Sequence, residues 1–146
     1  MTARFQTLFW ADYSGIPVEF TGLGIGSTPL LSSALAAVAK PTPNLDDPTG
    51  SAWVRETIFP VSRSAYTFTE DRELERAIYD VFTTWGTGRG HNTDICDSII
   101  SYYSRVTAAG LIYTSPDGEL PERRWIGRTD EGWMHQQVLV PIALYG

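Results

Sequence analysis

The chain predicts an α+β fold in a single domain: a mainly antiparallel sheet with a long C-terminal hairpin, packed by about two helices. Three observations carry this expectation. From Gln136 onward the even positions Val138, Val140, Ile142 and Leu144 are all apolar while the odd ones are mixed, the period-2 signature of a half-buried strand. Ser51 to Pro60 alternates in the same way. Between them, Ile95, Ile99, Tyr102 and Tyr103 recur at helical spacing behind Asn92 and Thr93.

At the N-terminus, Phe5, Leu8, Phe9 and Tyr13 fall on one helical face, with Thr2 available as a cap and Gly15 as a stop, so a short helix is expected over 2–13. Ile16 to Phe20 alternates and reads as a short strand. Gly22, Gly24, Gly26 and Pro29 then break regular structure. Thr28 to Lys40 suits one small apolar helix or a packed loop, and Pro41 to Gly50, with three prolines, reads as a linker, so that about 22–50 forms an extended loop or arm.

The strand over 51–60 is expected to continue, bent at Pro60, from Val61 to Phe68. Residues 69–85 are ambiguous. Leu74, Ala77, Ile78, Val81, Phe82 and Trp85 share a helical face, yet Ile78 to Trp85 is rich in strand formers. Gly86 to Gly90 reads as a flexible loop, after which Asn92 or Thr93 would cap a helix carrying Asp94 and Asp97 in its first turn. That helix ends near 105–110, and Leu111 to Tyr113 opens another strand.

Arg123 to Arg128, a polar turn at Thr129 to Gly132, and the run from Trp133 to Tyr145 form the long hairpin. A strand of about 12 residues spans roughly 40 Å. Pro141 cannot donate to a ladder, so it is expected at an edge or a bulge, leaving an edge that a neighbouring subunit could use.

The formal charge of −6, with Lys40 as the single lysine, argues against a surface that grips nucleic acid. An acidic chain is nonetheless suited to letting DNA slide past. Met1 to Gln6 shows no basic leader followed by an apolar core, and no run approaches 18 apolar residues, so the chain is expected to be made and kept in a cytosol-like compartment, without membrane contact.

Little in the sequence points to chemistry. The single Cys96 sits between acidic neighbours that raise a thiol pKa and reads as a small core residue. His91 and His135 belong to no metal-ligand spacing, and His135 reads as a satisfied or exposed strand position. Glu70, Asp71, Glu73, Glu75 and Asp80 look like one solvated face rather than a catalytic carboxylate pair. The Gly86 to Gly90 loop with Arg89 could cradle an anion at a helix start, but lacks a Gly-Lys-Ser/Thr ending. No catalytic, metal or cofactor-binding residue is assigned, and no cofactor is expected.

Five tryptophans in 146 residues is a high count. Most suit the core, but Trp and Arg dominate binding energy at interfaces. Trp53, Trp85, Arg89, Trp125, Arg128 and Trp133 are therefore the candidate assembly-interface residues.

The order Pro17-Val18, then Ala52-Trp53-Val54-Arg55, then a segment ending at Phe82 before a Gly-Thr-Gly loop, one helix, one strand, and Gly127 and Trp133 before a closing Val-Leu-Val-Pro-Ile strand resembles the tail terminator (tail completion) proteins of long-tailed bacteriophages. The resemblance covers most of 16–145 and rests on pattern; the link over 22–50 is longer than is usual in that family. It implies a non-enzymatic virion protein at the head-tail junction, made in the host cytoplasm. As a hexameric ring it would cap the head-proximal end of the tail tube, stop its polymerisation and dock the head-completion protein, with genomic DNA passing through the lumen. It also implies that Arg76 to Thr84 is a strand. The alternatives are another neck or tail-tube subunit, or a small anion-binding module or enzyme using the 86–93 loop.

Overall fold

The computed structural model describes residues 3–22, 30–31, 51–65, 71–103, 108–109, 112–114 and 120–145. The expected helix or packed loop over 28–40, the arm over 41–50, the strand continuation over 66–68 and the end of the second helix lie wholly or largely outside these residues.

Helix α1 (Ala3–Asp12) is followed by strands β1 (Val18–Gly22), β2 (Ala52–Ala65) and β3 (Asp71–Thr84), a 3-10 turn (Trp85–Thr87), helix α2 (Gly88–Tyr103), and strands β4 (Ala108–Ala109), β5 (Ile112–Thr114), β6 (Glu122–Arg128) and β7 (Trp133–Tyr145). The strands form one sheet in the order β1-β2-β3-β7-β5-β4, with β6 also pairing β7. β1 runs parallel to β2 and every other pairing is antiparallel, so the α+β architecture with a mainly antiparallel sheet is as the sequence predicts.

The ambiguous segment is a strand over 71–84, paired along its length with β2 on one side and β7 on the other. Its helical periodicity misleads because a central strand is buried on both faces. Ala77, Tyr79 and Val81 turn toward the helices while Asp80, Phe82 and Thr84 are buried on the opposite face. β2 carries a register shift between Pro60 and Ser62, which is the expected bend.

Pro141 is not at an edge of the sheet. It lies in central strand β7 opposite Arg76, at a position between the end of the β6 pairing at Leu139 and the start of the β5 pairing at Ile142. A residue without an N–H is tolerated where the flank of the strand is unpaired. The free edge of the hairpin therefore belongs to β6 rather than β7.

The main core lies between the sheet and the helices. Val54, Ile58, Ala77, Tyr79, Val81, Val138, Val140 and Ile142 meet Ile95, Cys96, Ile99 and Tyr103 of α2 and Phe5 and Phe9 of α1. Burial of each large apolar side chain contributes about 1.5–3 kcal/mol. One charge enters this layer: fully buried Glu56 accepts hydrogen bonds from the backbone N–H groups of Leu30 (3.0 Å) and Leu31 (2.6 Å), anchoring part of the β1–β2 connection to the sheet. Burial and the nearby Glu56 charge push Tyr79 and Tyr103 well above the ordinary tyrosine range, and their hydroxyls stand 3.1 Å apart.

α2 begins at Gly88, so the 86–90 segment is a 3-10 turn running into a helix rather than a flexible loop. Asn92 does not cap it. Its amide, fully buried, donates to Val81 O and Met134 O at 3.0 Å each, tying α2 to β3 and β7. Asp94 and Asp97 consequently fall beyond the first turn. Tyr102 is half-buried at the flank of α2, where its hydroxyl donates to Asp12 at 2.6 Å.

Candidate assembly surface

The six expected interface residues separate into two groups. Trp53 and Trp133 are buried, each 1 % exposed, in a cluster with Phe82 on the sheet face away from the helices. The Trp53 ring stacks on Phe82 at 4.3 Å and Trp133 meets Trp53 edge-on at 6.5 Å. His135 covers the other side of this cluster, stacked on Phe82 at 4.4 Å, and the Arg55 guanidinium lies 5.2 Å from the Trp53 ring. These two tryptophans fill the subunit's own interior.

The other four converge where β6 runs beside the start of α2. Arg89 lies 4.4 Å over the Trp125 ring, and Arg128 lies 4.4 Å over the Trp85 ring. Trp125 is 41 % exposed, Ile126 beside it 48 %, and both arginines are exposed. At exposed sites each such pair contributes about 0.5–1 kcal/mol, and a guanidinium lying flat on a ring keeps its in-plane N–H donors available.

The hairpin's local chemistry displays these groups. The turn closes through Gly132 N–H to Thr129 O at 3.2 Å, with Gly132 at φ +95°, which a glycine adopts without strain. A bulge at Ile126, between Trp125 and Gly127, adds one residue to β6. Every residue of β6 except Gly127 is exposed, and among the described strands β6 pairs only with β7. Its outer edge thus has no partner among the described strands and carries charged side chains, as isolated edges commonly do.

Arg123 and Arg124 already have carboxylates, Asp97 at 2.6 Å and Glu122 at 3.7 Å. Among the described residues, Arg89 and Arg128 have no carboxylate within ion-pair distance.

On the outward side of α2 the sign reverses. Asp12, Asp94, Asp97, Ser98 and Ser101 line an open groove of about 600 Å³ between the two helices. Tyr13 O–H donates to Asp94 O at 3.0 Å and lies 2.7 Å from Ser98 Oγ. Burial, opposed by that Ser98 hydrogen bond and reinforced by Asp94, raises Tyr13 above the usual tyrosine range.

The acids expected on one solvated face are divided by the sheet. Asp80, 7 % exposed, sits on the helix-free face and accepts from Gln137 Nε2 at 2.9 Å, with His135 Nε2 at 2.6 Å. Glu75 is also buried, 5 % exposed, and burial followed by repulsion from Glu73 raises its carboxyl. Beyond Gln137 the same face opens into a groove of about 470 Å³ floored by Phe59, Ile78, Leu139 and Pro141.

Sequence reasoning missed Glu56 and Asn92. Asn92 was detectable, since it occupies the same helical stripe as Ile95, Cys96, Ile99 and Tyr103, where an isolated amide implies buried carbonyl partners. Glu56 alternates correctly with the inward residues Val54 and Ile58, and its charge concealed its inward direction.

No protein-family profile matches the chain, and no curated protein matches it in sequence. One solved structure, whose designation describes no function, superposes with a TM-score of 0.58 at 11 % identity, over 97 % of this chain and 88 % of that one. At that identity the similarity speaks for the fold alone. Among the described residues no helix is long and apolar enough to cross a membrane.

Proposed function

We propose that this chain is a ring-forming structural subunit of a phage tail, a tail terminator that caps the head-proximal end of the tube and joins it to the head-completion protein. The observation that carries the reading is the β6–β7 hairpin. It presents an exposed edge bearing Trp125, Ile126 and Arg128 that pairs with no other described strand, while its other strand is held in the middle of the sheet. A rigid hairpin with one free edge is suited to recognising another protein by shape and backbone pairing. The residue-order resemblance supplies the specific role, and the net charge of −6 agrees with a lumen through which DNA passes without being held.

Function in this reading is a competition between interfaces. The subunit binds the last tube ring better than another tube subunit does, and its far face does not accept more tube protein, so growth stops.

The test is the solution mass by light scattering with negative-stain microscopy of the same sample, followed by addition to polymerising tube protein. Closed rings of about six subunits that arrest tube growth support the proposal; open-ended polymers point to a tube subunit instead. An anion-binding module is the different-class alternative, and unchanged ligand binding in Arg89→Ala removes it.

A further inference from the structure

We propose that the β6 edge of one subunit docks into the acidic α1/α2 groove of a second copy of this chain, with Arg128 and Arg89 meeting the carboxylates of Asp94 and Asp12. The inference rests on the ring-subunit reading and names the surfaces that would close the ring.

Charge complementarity within one chain is the first argument. Arg89 and Arg128 are exposed, held over Trp125 and Trp85, and have no carboxylate among the described residues. The groove between the helices presents Asp94 on the exposed side of α2 and Asp12 from α1, while Asp97, which also lines it, is already paired with Arg123. An arginine that loses water in a contact is met most strongly by a carboxylate, so an acidic surface is the favoured partner of β6.

Geometry makes the contact head-to-tail. On α2, Arg89 and Asp97 lie on the flank facing β6, through the Arg89–Trp125 and Arg123–Asp97 contacts. Ser98 and Tyr102 lie on the flank facing α1, through Tyr13 and Asp12. Arg89 thus sits on one flank of the helix and the Asp12–Asp94 part of the groove on the other. A symmetric edge-to-edge pairing would bring together two strands that each carry three arginines and one glutamate, a net accumulation of like charge that the acidic groove avoids. The favourable contact joins different surfaces, and such contacts close into rings when the rotation permits.

The experiment uses full-length protein carrying Arg128→Glu or Asp94→Arg, both at exposed side chains, with helical and strand content checked by circular dichroism. Each variant alone is expected to fall from the wild-type oligomer to the mass of one chain, 16.2 kDa. An equimolar mixture of the two should regain the wild-type mass, because each altered surface then finds its complement on the other variant. Raising salt should weaken the wild-type oligomer.

Wild-type oligomers unaffected by either variant overturn this interface and leave the ring reading standing, whereas a wild type that is monomeric both free and on tail tubes overturns both. Monomeric variants that stay apart when mixed overturn the groove as the occupant. Retention of duplex DNA by the wild type, lost in Arg128→Glu with mass unchanged, reassigns the surface to phosphate and also overturns the proposal.

Discussion

His135 Nε2 lies 2.6 Å from Oδ1 of Asp80, a diagonal pair across β3 and β7 that joins the aromatic cluster of Trp53 and Phe82 to the polar row of Arg55 and Gln137. Cross-strand pairs are the unit of sheet stabilisation, and this one is 16 % and 9 % exposed at its side chains, beyond the reach of full solvent screening. Burial pushes the Asp80 carboxyl up, but hydrogen bonds from His135 and Gln137 and attraction to His135 and Arg55 outweigh it, leaving it below its ordinary value of 3.8.

A depressed carboxyl binds its proton more weakly in the folded chain than in the unfolded one. Its contribution is therefore fully present above the unfolded value and is lost as pH falls through the folded value. Urea midpoints measured between pH 6 and pH 2 should fall on the acid side, and Asp80→Asn should flatten that decline. At neutral pH, Asp80→Ala should cost about 1–3 kcal/mol, because the half-buried His135 and Gln137 lose their shared acceptor.

Glu56→Ala should cost about 2–4 kcal/mol, more than a neutral hydrogen-bond loss, since two backbone N–H groups lose a charged acceptor. Hydrogen exchange localises the effect. The amides of Leu30 and Leu31 should exchange at the rate of local opening in the variant, while those of β3 and β7 should speed up only in proportion to the loss of global stability.

Asn92→Leu keeps the volume of the stripe and removes both amide donors. Val81 O and Met134 O then lose a partner, and the denaturation midpoint should drop by an amount corresponding to about 1–3 kcal/mol. An unchanged midpoint would mean that the amide does not tie α2 to the sheet.

The tryptophans should divide sharply. Trp53→Ala or Trp133→Ala removes a buried ring and should cost about 3–5 kcal/mol. Trp125→Ala removes an exposed ring under Arg89 and should shift stability by no more than about 1 kcal/mol. Thermal or urea unfolding followed by circular dichroism measures both.

Cys96 is fully buried, and burial, only partly offset by Arg123 and reinforced by Asp97, pushes its thiol up to about 12. Native protein at pH 8 should resist alkylation by iodoacetamide, and denatured protein should react fully within the same time.

What the sequence determined by itself is the local periodicity. The alternation over 51–60 and 136–144, the turn at Thr129 to Gly132 and the apolar stripe of α2 each follow from the fixed geometry of a strand, a turn or a helix, and each stands in the structure as read. Tertiary structure decided whatever depended on a second element. Residues 71–84 are a strand because β2 and β7 pair with both of its edges, overriding a helical pattern. Asn92 and Glu56 are interior because distant backbone groups satisfy them, and Pro141 is central because neighbouring strands stop on either side of it. The candidate surface divided for the same reason. Sequence composition marks Trp and Arg as suited to interfaces, but only packing sends Trp53 and Trp133 inward and leaves Trp125 and Arg128 on a free edge, because exposure is a property of the neighbours rather than of the residue.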